Sequence, residues 1–340
     1  MKERALARSA LRYLAIILVL CFCLGGFSGC RSAEYETATV YALDTVIEIK
    51  IPKSEKSASL VSECEAIIRE LDAVCSAYND SSELYRLNQS SGEECTVSAS
   101  LSDILATARR LSEKTGGAYD YTVGALVSLW AISDAAVPLP SDSDISDALK
   151  LVGYGRTDFD QGCFVTEEGV RIDLGGIAKG YLAELLVDRL TAAEVGHGVL
   201  SLGGNIAVFG EKPSGDSFRI GIKNPAGGTF GSLTVNNSSG SPAHYVSVSG
   251  TYERYKTVDG VRYHHIIDTK TGRPVNNGLL SVAVISENGA EADALSTALF
   301  VMGYDRAMTM YDSGELAFEA VFVFEDGRVL CTSGAGFSPS

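Results

Sequence analysis

The feature that most constrains the fold of this chain is a series of short, strand-like segments that only a few long helices interrupt. Ile47, Ile49 and Ile51 alternate with polar residues, which is the pattern of a half-buried strand. Further strands are predicted at 163–173, 198–209, 218–223, 245–249, 263–268 and 280–286, and long helices at 177–190 and 292–310. This order predicts an α/β fold of the mixed, α+β kind, with mixed sheets flanked by a few long helices.

Two amphipathic helices are expected before residue 120. The first carries one apolar stripe, whose members are Leu60, Cys64, Ile67, Leu71, Val74 and Tyr78. The second covers 101–111 and is followed by Gly116 and Gly117, since glycine is common just after a helix. The residues after the first 29 contain no long low-complexity linker and no repeat, so one large domain or two closely packed lobes are expected.

The first 29 residues have the composition of an export signal. Basic residues at positions 2, 4, 8 and 12 precede an apolar run from Leu14 to Leu24, which is shorter than the ~20 residues of a membrane span. Small residues and then Cys30 follow. This end resembles a bacterial lipoprotein signal, although Phe27 departs from the pattern, and the alternative is an ordinary signal peptide cut nearby.

We therefore expect a lipoprotein signal peptide over 1–29, a spacer over 30–37 that starts at the lipidated cysteine, and a folded domain over 38–340. One lipidated cysteine would hold the exported protein on the outer face of the bacterial cytoplasmic membrane, or on the periplasmic side of a membrane, without spanning it.

The charge of the chain argues against nucleic acid as a partner. Residues 1–29 contain four basic residues and one acidic residue, so their removal would change the net charge from −15 to −18. Binding to a phosphate backbone relies on clustered Lys and Arg. Any phosphate ligand must therefore be held locally, by a metal ion or by backbone amides.

Two segments carry groups suited to such a ligand. In "RIDLGGIAKGY" (171–181) a predicted strand ends at Asp173, two glycines turn the chain and a helix begins, so free N–H groups and Lys179 could bind an anion. Taken alone, a Gly-Gly pair before a helix is more often a tight turn. In "EADALSTALFVMG" (291–303), Asp293 and Thr297 lie four residues apart on one helix face and suit magnesium. A helix-start Asp with a back-bonding Thr explains the same pair.

Two further stretches are ambiguous when taken alone. Tyr78, after the striped helix, could stack on a flat ring or could be a hydrophobic plug. "RYHHIIDTKTG" (262–272) holds two of the four histidines of the chain, and a surface strand could carry His264 and His265 on opposite faces without any chemistry.

The joint order of these segments resembles one known family. The stretches that carry the resemblance are "ALDTVIEI" (42–49), "SAYNDSSELYRLN" (76–88), "GGAYDYTVGALVSLW" (116–130), "DLGGIAKGY" (173–181), "SLGGNI" (201–206), "VSGTYERY" (248–255), "HHIIDTKTG" (264–272) and "ADALSTALFVMG" (292–303). Over nearly all of the expected mature chain, the sequence is similar to the ApbE family of FAD:protein FMN transferases.

The resemblance implies the ApbE-like flavin transferase fold and a magnesium-dependent enzyme. Such an enzyme cleaves FAD, transfers FMN through a phosphoester bond to a threonine of a target protein and releases AMP. The implied acceptors are flavin-carrying subunits of membrane redox complexes. The implied metal residues are Gly176, Asp293, Ser296 and Thr297. The implied FAD-binding residues are Leu43, Tyr78, Ala118, Tyr119, Asp120, Asp173, Lys179 and Ile267.

His265 falls where the family has its functional histidine. Because histidine titrates near neutral pH, His265 can act as the base that takes the proton of the acceptor threonine, with Asp268 as an orienting group. His264 keeps a structural interpretation. Two alternatives stay open at this point. One is an FAD pyrophosphatase, in which water replaces threonine, and the other is a flavin-binding lipoprotein without turnover.

The chain departs from the family pattern at two places. Leu43-Asp44-Thr45 replaces the frequent Met-Gly-Thr, and Tyr121 stands where proline is frequent, which affects fine contacts to the flavin rather than the reaction class. The tail "TSGAGFS" (332–338) resembles a Ser-Gly-Ala-Thr acceptor, but Gly336 occupies the threonine position, so self-flavinylation is not predicted.

Overall fold

The computed structural model describes residues 34–160, 163–237 and 242–340. The expected signal peptide, the expected lipid site at Cys30 and the spacer up to residue 33 lie outside the described residues. Residues Glu34–Ser340 cluster into one compact unit. In this described part, no helix combines the length and apolar character needed to cross a bilayer.

The described part contains eight α-helices. They are α1 (Ser57–Cys75), α2 (Glu83–Gln89), α3 (Ala99–Lys114), α4 (Gly124–Trp130), α5 (Asp142–Leu149), α6 (Ala178–Ala192), α7 (Gly289–Met302) and α8 (Tyr304–Ser313). The strands are β1 (Tyr35–Ala42), β2 (Thr45–Pro52), β3 (Cys95–Thr96), β4 (Thr157–Asp160), β5 (Cys163–Thr166), β6 (His197–Leu202), β7 (Asn205–Gly210), β8 (Phe218–Lys223), β9 (Thr229–Val235), β10 (Ala243–Gly250), β11 (Tyr255–Val258), β12 (Val261–His264), β13 (Ile267–Asp268), β14 (Arg273–Pro274), β15 (Leu279–Ser286), β16 (Glu319–Phe324), β17 (Val329–Cys331) and β18 (Phe337–Pro339).

One large sheet organises the molecule. Its eight strands lie in the order β1-β2-β6-β7-β10-β15-β16-β17, and every neighbouring pair is antiparallel. Smaller antiparallel sheets are β18-β9-β8, β3-β5-β4, β11-β12 and β13-β14. The mixed α+β class is therefore confirmed. The expected mixed sheets are instead antiparallel among the described strands, with parallel pairing only at the isolated Val123–Arg171 bridge.

The large sheet is covered on both faces, which gives three layers. Helices α1, α3, α6 and α7 cover one face, where Ile68, Leu186 and Leu295 pack against strand residues. The β8-β9-β18 sheet covers part of the other face, with Ile220 and Leu233 in a second cluster. The central strand β15 is almost continuously buried because it has no solvent face. By contrast, β8 alternates buried and exposed residues.

Glycine breaks several elements that hydrophobic patterns join together. The helix predicted over 292–310 is two helices, since Gly303 has φ 76° and separates α7 from α8. The strand predicted over 198–209 is the β6–β7 hairpin, with Gly203 at φ 56° and Gly204 at φ 101° in its turn. Glycine adopts the left-handed backbone conformation at little cost, and a residue in this conformation ends a helix or a strand.

Three further predictions differ from the structure at element ends. The strand predicted over 163–173 ends at Thr166, and the chain turns before it reaches Asp173. The strand predicted over 263–268 is split between β12 and β13. Strand β1 was not predicted and begins at Tyr35, so the last residues of the expected spacer lie in the sheet.

Candidate active site

The site begins at Asp293, on the first half of α7. This carboxylate is 4% exposed. Its Oδ2 accepts a hydrogen bond from the Gly180 N–H at 3.0 Å and lies 3.4 Å from the Lys179 Nζ. Its Oδ1 lies 3.1 Å from the Ser247 Oγ. The carboxylate of α7 is therefore held at the start of α6, where free N–H groups and the helix dipole favour negative charge.

Helices α6 and α7 approach each other closely because a glycine of each lies at their contact, and this brings Asp293 to the start of α6. A Cβ on Gly180 would lie 2.0 Å from the Gly289 carbonyl oxygen and 2.8 Å from the Asp293 Cβ. A Cβ on Gly289 would lie 2.5 Å from the Gly180 carbonyl oxygen. The two backbones thus approach closely only because both positions lack side chains.

Hydroxyl groups extend the site along α7 and β10. The Ser249 Oγ lies 2.8 Å from the Ser296 Oγ and 3.2 Å from the Thr297 Oγ1. The Ser296 hydroxyl donates to the Asp293 carbonyl at 2.8 Å. Strand β10 supplies Ser247 and Ser249 from the same face because side chains alternate along a strand. The result is a nearly continuous surface of oxygen atoms.

The loop before α6 completes the set of predicted metal residues. A Cβ on Gly176 would lie 3.6 Å from the Thr297 Oγ1, so the Gly176 backbone is next to the α7 oxygens. The structure thus brings Gly176, Asp293, Ser296 and Thr297 together. The donors are carboxylate, hydroxyl and carbonyl oxygens, which fit magnesium. Among the described residues, no group of three or more His, Cys, Asp or Glu side chains could hold a metal ion.

Lys179 belongs to the same cluster. Its Nζ donates to the Gly175 carbonyl at 3.0 Å, and its side chain is 20% exposed. The Asp173 Oδ1 accepts a hydrogen bond from the Gly175 N–H at 2.8 Å and so shapes the loop between the two. The Lys179 ammonium therefore lies at the start of α6 and keeps part of its surface exposed, so it can contact a phosphate there.

His265 lies within electrostatic range of Lys179 and has one ring nitrogen free for chemistry. Its Nδ1 lies 3.2 Å from the Arg254 carbonyl oxygen, which can only accept, so Nδ1 carries the hydrogen. In the neutral ring, Nε2 is then an unprotonated acceptor. Burial, then the charge of Arg254 and, more weakly, that of Lys179 lower the pKa of His265 to about 3. The ring is therefore neutral at physiological pH and able to take a proton.

His264 has the structural role expected for it. It is 5% exposed, and its Nε2 donates to the Val275 carbonyl at 2.8 Å. Its Nδ1 accepts from the Ile266 N–H at 3.2 Å. Both ring nitrogens are used, so no position is left for a substrate.

The orienting role predicted for Asp268 is corrected by the structure. Its carboxylate accepts hydrogen bonds from the Lys270 N–H at 2.9 Å and from the Thr271 hydroxyl at 3.2 Å, so it shapes a turn. The backbone carbonyl of Arg254 orients His265 instead. The reason is local: Asp268 begins a tight turn, in which a short carboxylate bonds to the following residues.

The predicted flavin residues near the β1–β2 turn have unusual conformations or exposure. Leu43 and Asp44 have φ angles of 48° and 56°, a type I′ turn built without glycine. The Leu43 N–H donates to the Asp72 Oδ1 at 2.9 Å. Tyr78 is 64% exposed, and the charges that act on its hydroxyl include those of Asp173 and Asp44. An exposed ring beside this turn can stack on a flat ligand.

The Ala118–Asp120 segment is buried under the same site. Asp120 accepts three hydrogen bonds, from the Thr122 N–H, the Thr122 hydroxyl and the Tyr154 N–H, so its carboxylate is structural. The Tyr119 hydroxyl is buried without a partner, and its ring would lie 3.2 Å from a Cβ on Gly176. Ala118 is 3% exposed.

Ile267 is 6% exposed and packs with a small cluster that also contains Leu126, Trp130 and Ile145. Its contact with FAD stays a prediction.

Sequence reasoning assigned no role to four residues of the site. They are Ser247, Ser249, Asn205 and Arg254. The two serines could have been found as a pair spaced by two residues in an otherwise apolar strand, which places both on one face. Nothing in the sequence indicates that the Arg254 carbonyl orients His265, since a backbone group carries no residue signal.

The chain thus combines an antiparallel α+β fold with an oxygen-rich surface at the start of α6 that fits magnesium. The model of the ApbE family matches residues 43–322. The chain belongs to the ApbE family.

Curated relatives are similar over nearly their whole length. The FAD:protein FMN transferase of Treponema pallidum is 33% identical, covering 94% of this chain and 92% of the relative. That of Vibrio cholerae is 31% identical, covering 88% and 91%. Among solved structures, the ApbE protein of Thermotoga maritima has a TM-score of 0.81 and 31% identity, covering 88% of this chain and 97% of that one. The flavin transferase ApbE from Vibrio cholerae has a TM-score of 0.76 and 29% identity, covering 88% and 98%.

Proposed function

We propose that this chain is an FAD:protein FMN transferase that moves FMN from FAD to a threonine hydroxyl of an acceptor protein and releases AMP. The observation that carries the proposal is a neutral histidine with a free Nε2, within electrostatic range of Lys179, which itself belongs to the oxygen-rich cluster around Asp293. The family and the names of its curated relatives support the same reaction class.

His265 has the geometry of the base in this reaction. The threonine oxygen forms a bond to the phosphorus on the FMN side of the pyrophosphate, and the bond from that phosphorus to the bridging oxygen breaks. The hydroxyl proton passes to the His265 Nε2, and AMP leaves with the bridging oxygen. The hydrogen bond from Nδ1 to the Arg254 carbonyl keeps Nε2 unprotonated before the reaction.

The chain supplies positive charge for the pyrophosphate from two sources. Lys179 contributes an ammonium group, and the start of α6 contributes free N–H groups. A magnesium ion held by Gly176, Asp293, Ser296 and Thr297 would neutralise phosphate charge when bound. Negative charge from a bound pyrophosphate would also raise the pKa of His265 from its low value, because Arg254 and Lys179 lower that pKa.

Leu43, Tyr78 and Asp173 are proposed to contact the flavin end of FAD, with the exposed ring of Tyr78 stacked on the isoalloxazine. The acceptors proposed are threonine-bearing, flavin-carrying subunits of membrane redox complexes. Export and a lipid on Cys30 would place the enzyme on the outer face of the cytoplasmic membrane, or on the periplasmic side of a membrane, where such subunits are exposed.

The test follows two products at once. The full chain in detergent is incubated with FAD, magnesium and a protein that carries an Asp-x-x-Ser-Gly-Ala-Thr segment, and AMP release and acceptor mass are measured. We expect an FMN-sized mass gain on the acceptor threonine that EDTA prevents. AMP without a mass gain would indicate an FAD pyrophosphatase, and neither product would indicate a flavin-binding protein without turnover.

A histidine variant makes the same test specific to the site. His265→Ala should lose at least about 100-fold in transfer, the lower range for loss of a general base, while it still binds FAD. The matched control is His244→Ala, because His244 bonds to Asn237 on another part of the sheet. Normal transfer by His265→Ala would contradict the assignment of the base.

A further inference from the structure

Asn205 and Ser247 form a buried pair directly behind Asp293. Ser247 is 1% exposed and Asn205 is 4% exposed. The Ser247 Oγ lies 2.7 Å from the Asn205 side-chain oxygen position and 3.1 Å from the Asp293 Oδ1. It also lies 3.3 Å from the Ser296 Oγ. The pair therefore connects strands β7 and β10 to the proposed metal ligand.

The Asn205–Ser247 pair has too few hydrogens for the acceptors around the serine when the Asn205 oxygen faces Ser247. The Ser247 hydroxyl has one hydrogen, so it cannot donate to Asn205 and to Asp293 together. The Asn205 Nδ2 is buried and has no partner. A buried donor without an acceptor is destabilising, because it loses its hydrogen bonds to water and gains none in the protein. Turning the amide by 180° directs Nδ2 at the Ser247 Oγ and leaves the serine hydrogen for Asp293.

Building on the transferase function proposed above, we propose that Asn205 and Ser247 are positioning residues that hold Asp293 for the metal ion through a relay of hydrogen bonds. Asn205 Nδ2–H donates to the Ser247 Oγ, and the Ser247 hydroxyl donates to the Asp293 Oδ1. Lys179 and the Gly180 N–H hold the other oxygen. These hydrogen bonds prevent the Asp293 carboxylate from rotating, because one oxygen is bonded to the sheet and the other to α6.

The physical consequence is preorganisation of the ligand. A magnesium ion demands near-ideal geometry and loses its waters reluctantly, so a carboxylate that can rotate binds it less well. Hydrogen bonds to a metal-ligating group commonly change metal affinity by 10–100-fold. The relay should therefore act on metal affinity more than on folding.

The experiment measures metal binding without turnover. Mg²⁺ alone is titrated into the full-length wild-type chain, Ser247→Ala and Ser247→Thr by isothermal titration calorimetry. We expect Ser247→Ala to bind Mg²⁺ about 10- to 100-fold more weakly. Ser247→Thr keeps the hydroxyl and should bind within a few-fold of wild type. Ser281→Ala is the matched control, since this buried serine lies on the neighbouring strand β15.

A double variant tests the relay itself. If Asn205 acts only through Ser247, Asn205→Ala should weaken Mg²⁺ binding, and combining it with Ser247→Ala should add no further loss. Additive losses would overturn the relay. Thermal unfolding of each variant shows whether a loss of binding follows from a loss of the fold.

The outcomes separate the relay from the transferase activity. Unchanged Mg²⁺ affinity in folded Ser247→Ala would overturn the relay, whether or not the wild-type chain transfers FMN. A wild-type chain that binds Mg²⁺ but transfers no FMN would contradict the proposed function and leave the relay supported by the affinity ratio. A wild-type chain that binds no Mg²⁺ would contradict both.

Discussion

His264 and His265 are adjacent in the sequence but have opposite hydrogen-bonding states. The first uses both ring nitrogens on backbone groups of its own hairpin region, while the second uses only Nδ1. A free Nε2 makes His265 available for proton transfer. A residue's neighbours in space, rather than its type, therefore separate the structural histidine from the chemical one.

The contribution of His264 to stability can be measured. His264→Ala removes a donor to the Val275 carbonyl and an acceptor for the Ile266 N–H, so it should lower the free energy of unfolding by about 1–3 kcal/mol at pH 7.5. Urea denaturation gives the value. His264→Gln keeps a polar side chain, so its free energy of unfolding should fall by less. An equal fall in both variants would contradict the hydrogen-bond explanation.

The same variant makes a prediction about pH. Burial lowers the pKa of His264 below the ordinary value of 6.5. The unfolded chain therefore takes up the proton first, so the stabilisation is complete above pH 6.5 and is lost as pH falls through the folded pKa. The stability difference between wild type and His264→Ala should shrink as pH falls below 6.5. A difference that grows on acidification would contradict this sign.

Strain at the β1–β2 turn belongs to the same scale. Asp44 has φ 56°, a conformation that costs a non-glycine residue about 1–3 kcal/mol. Asp44→Gly should therefore stabilise the chain by about 1 kcal/mol in urea denaturation. Asp326→Gly, in an exposed hairpin turn without this strain, is the control. No gain from Asp44→Gly would show that the aspartate compensates for its own backbone strain.

At the scale of elements, the crossing of α6 and α7 positions the site. The two helices touch through Gly180 and Gly289, and this contact puts the first-turn N–H groups of α6 against Asp293. The β10 serines reach the same carboxylate from the sheet. Three elements that are far apart in the sequence thus define the oxygen-rich surface proposed to bind magnesium.

Gly180→Ala tests this crossing. The new Cβ would lie 2.0 Å from the Gly289 carbonyl oxygen, so the helices must move apart. We expect a loss of about 1–3 kcal/mol in unfolding free energy, typical of overpacking, together with weaker Mg²⁺ binding. Gly196→Ala is the control because nothing lies within 4 Å of its Cβ position. A Gly180→Ala variant as stable as wild type would contradict close packing at this point.

At the scale of the whole molecule, three layers support a site on the central strands β7 and β10 of the large sheet. The helices cover one face of this sheet, and the β8-β9-β18 sheet covers part of the other. The layers hold α6, α7 and β10 in fixed relation, so the site depends on the complete fold rather than on one motif.

The proposed anchor can be tested in the full-length chain. If Cys30 carries a lipid, Cys30→Ser should move the protein from the membrane fraction to the soluble fraction of expressing bacteria, because the lipidated cysteine provides the attachment. The measurement is immunoblotting of both fractions. FMN transfer by the purified variant should be unchanged, and retention of Cys30→Ser in the membrane fraction would contradict the proposed anchor.

Part of the site could be predicted from the sequence. Asp293 and Thr297 share a helix face, and Lys179 follows a Gly-Gly turn, but local spacing alone left a structural explanation open for both. The joint order of eight segments then indicated the family. The mixed α+β class followed from strand-like alternation and long apolar stripes, which are local periodicities.

The remaining features depend on contacts between distant parts of the chain. Ser247 reaches Asp293 across 46 residues of sequence, and Gly180 reaches it across 113. Element ends were also misplaced, because a hydrophobic pattern continues through Gly203 and Gly303 while the backbone there turns to positive φ.

The sequence by itself determined the family, the fold class and the residue types of the site, since these depend on local spacing and composition. Only the tertiary structure decided which histidine nitrogen is free, that a backbone carbonyl rather than Asp268 orients His265, and that Asn205 and Ser247 lie behind Asp293. Those facts depend on the directions of hydrogen bonds between separate elements. Packing fixes these directions, and no local pattern of residues encodes them.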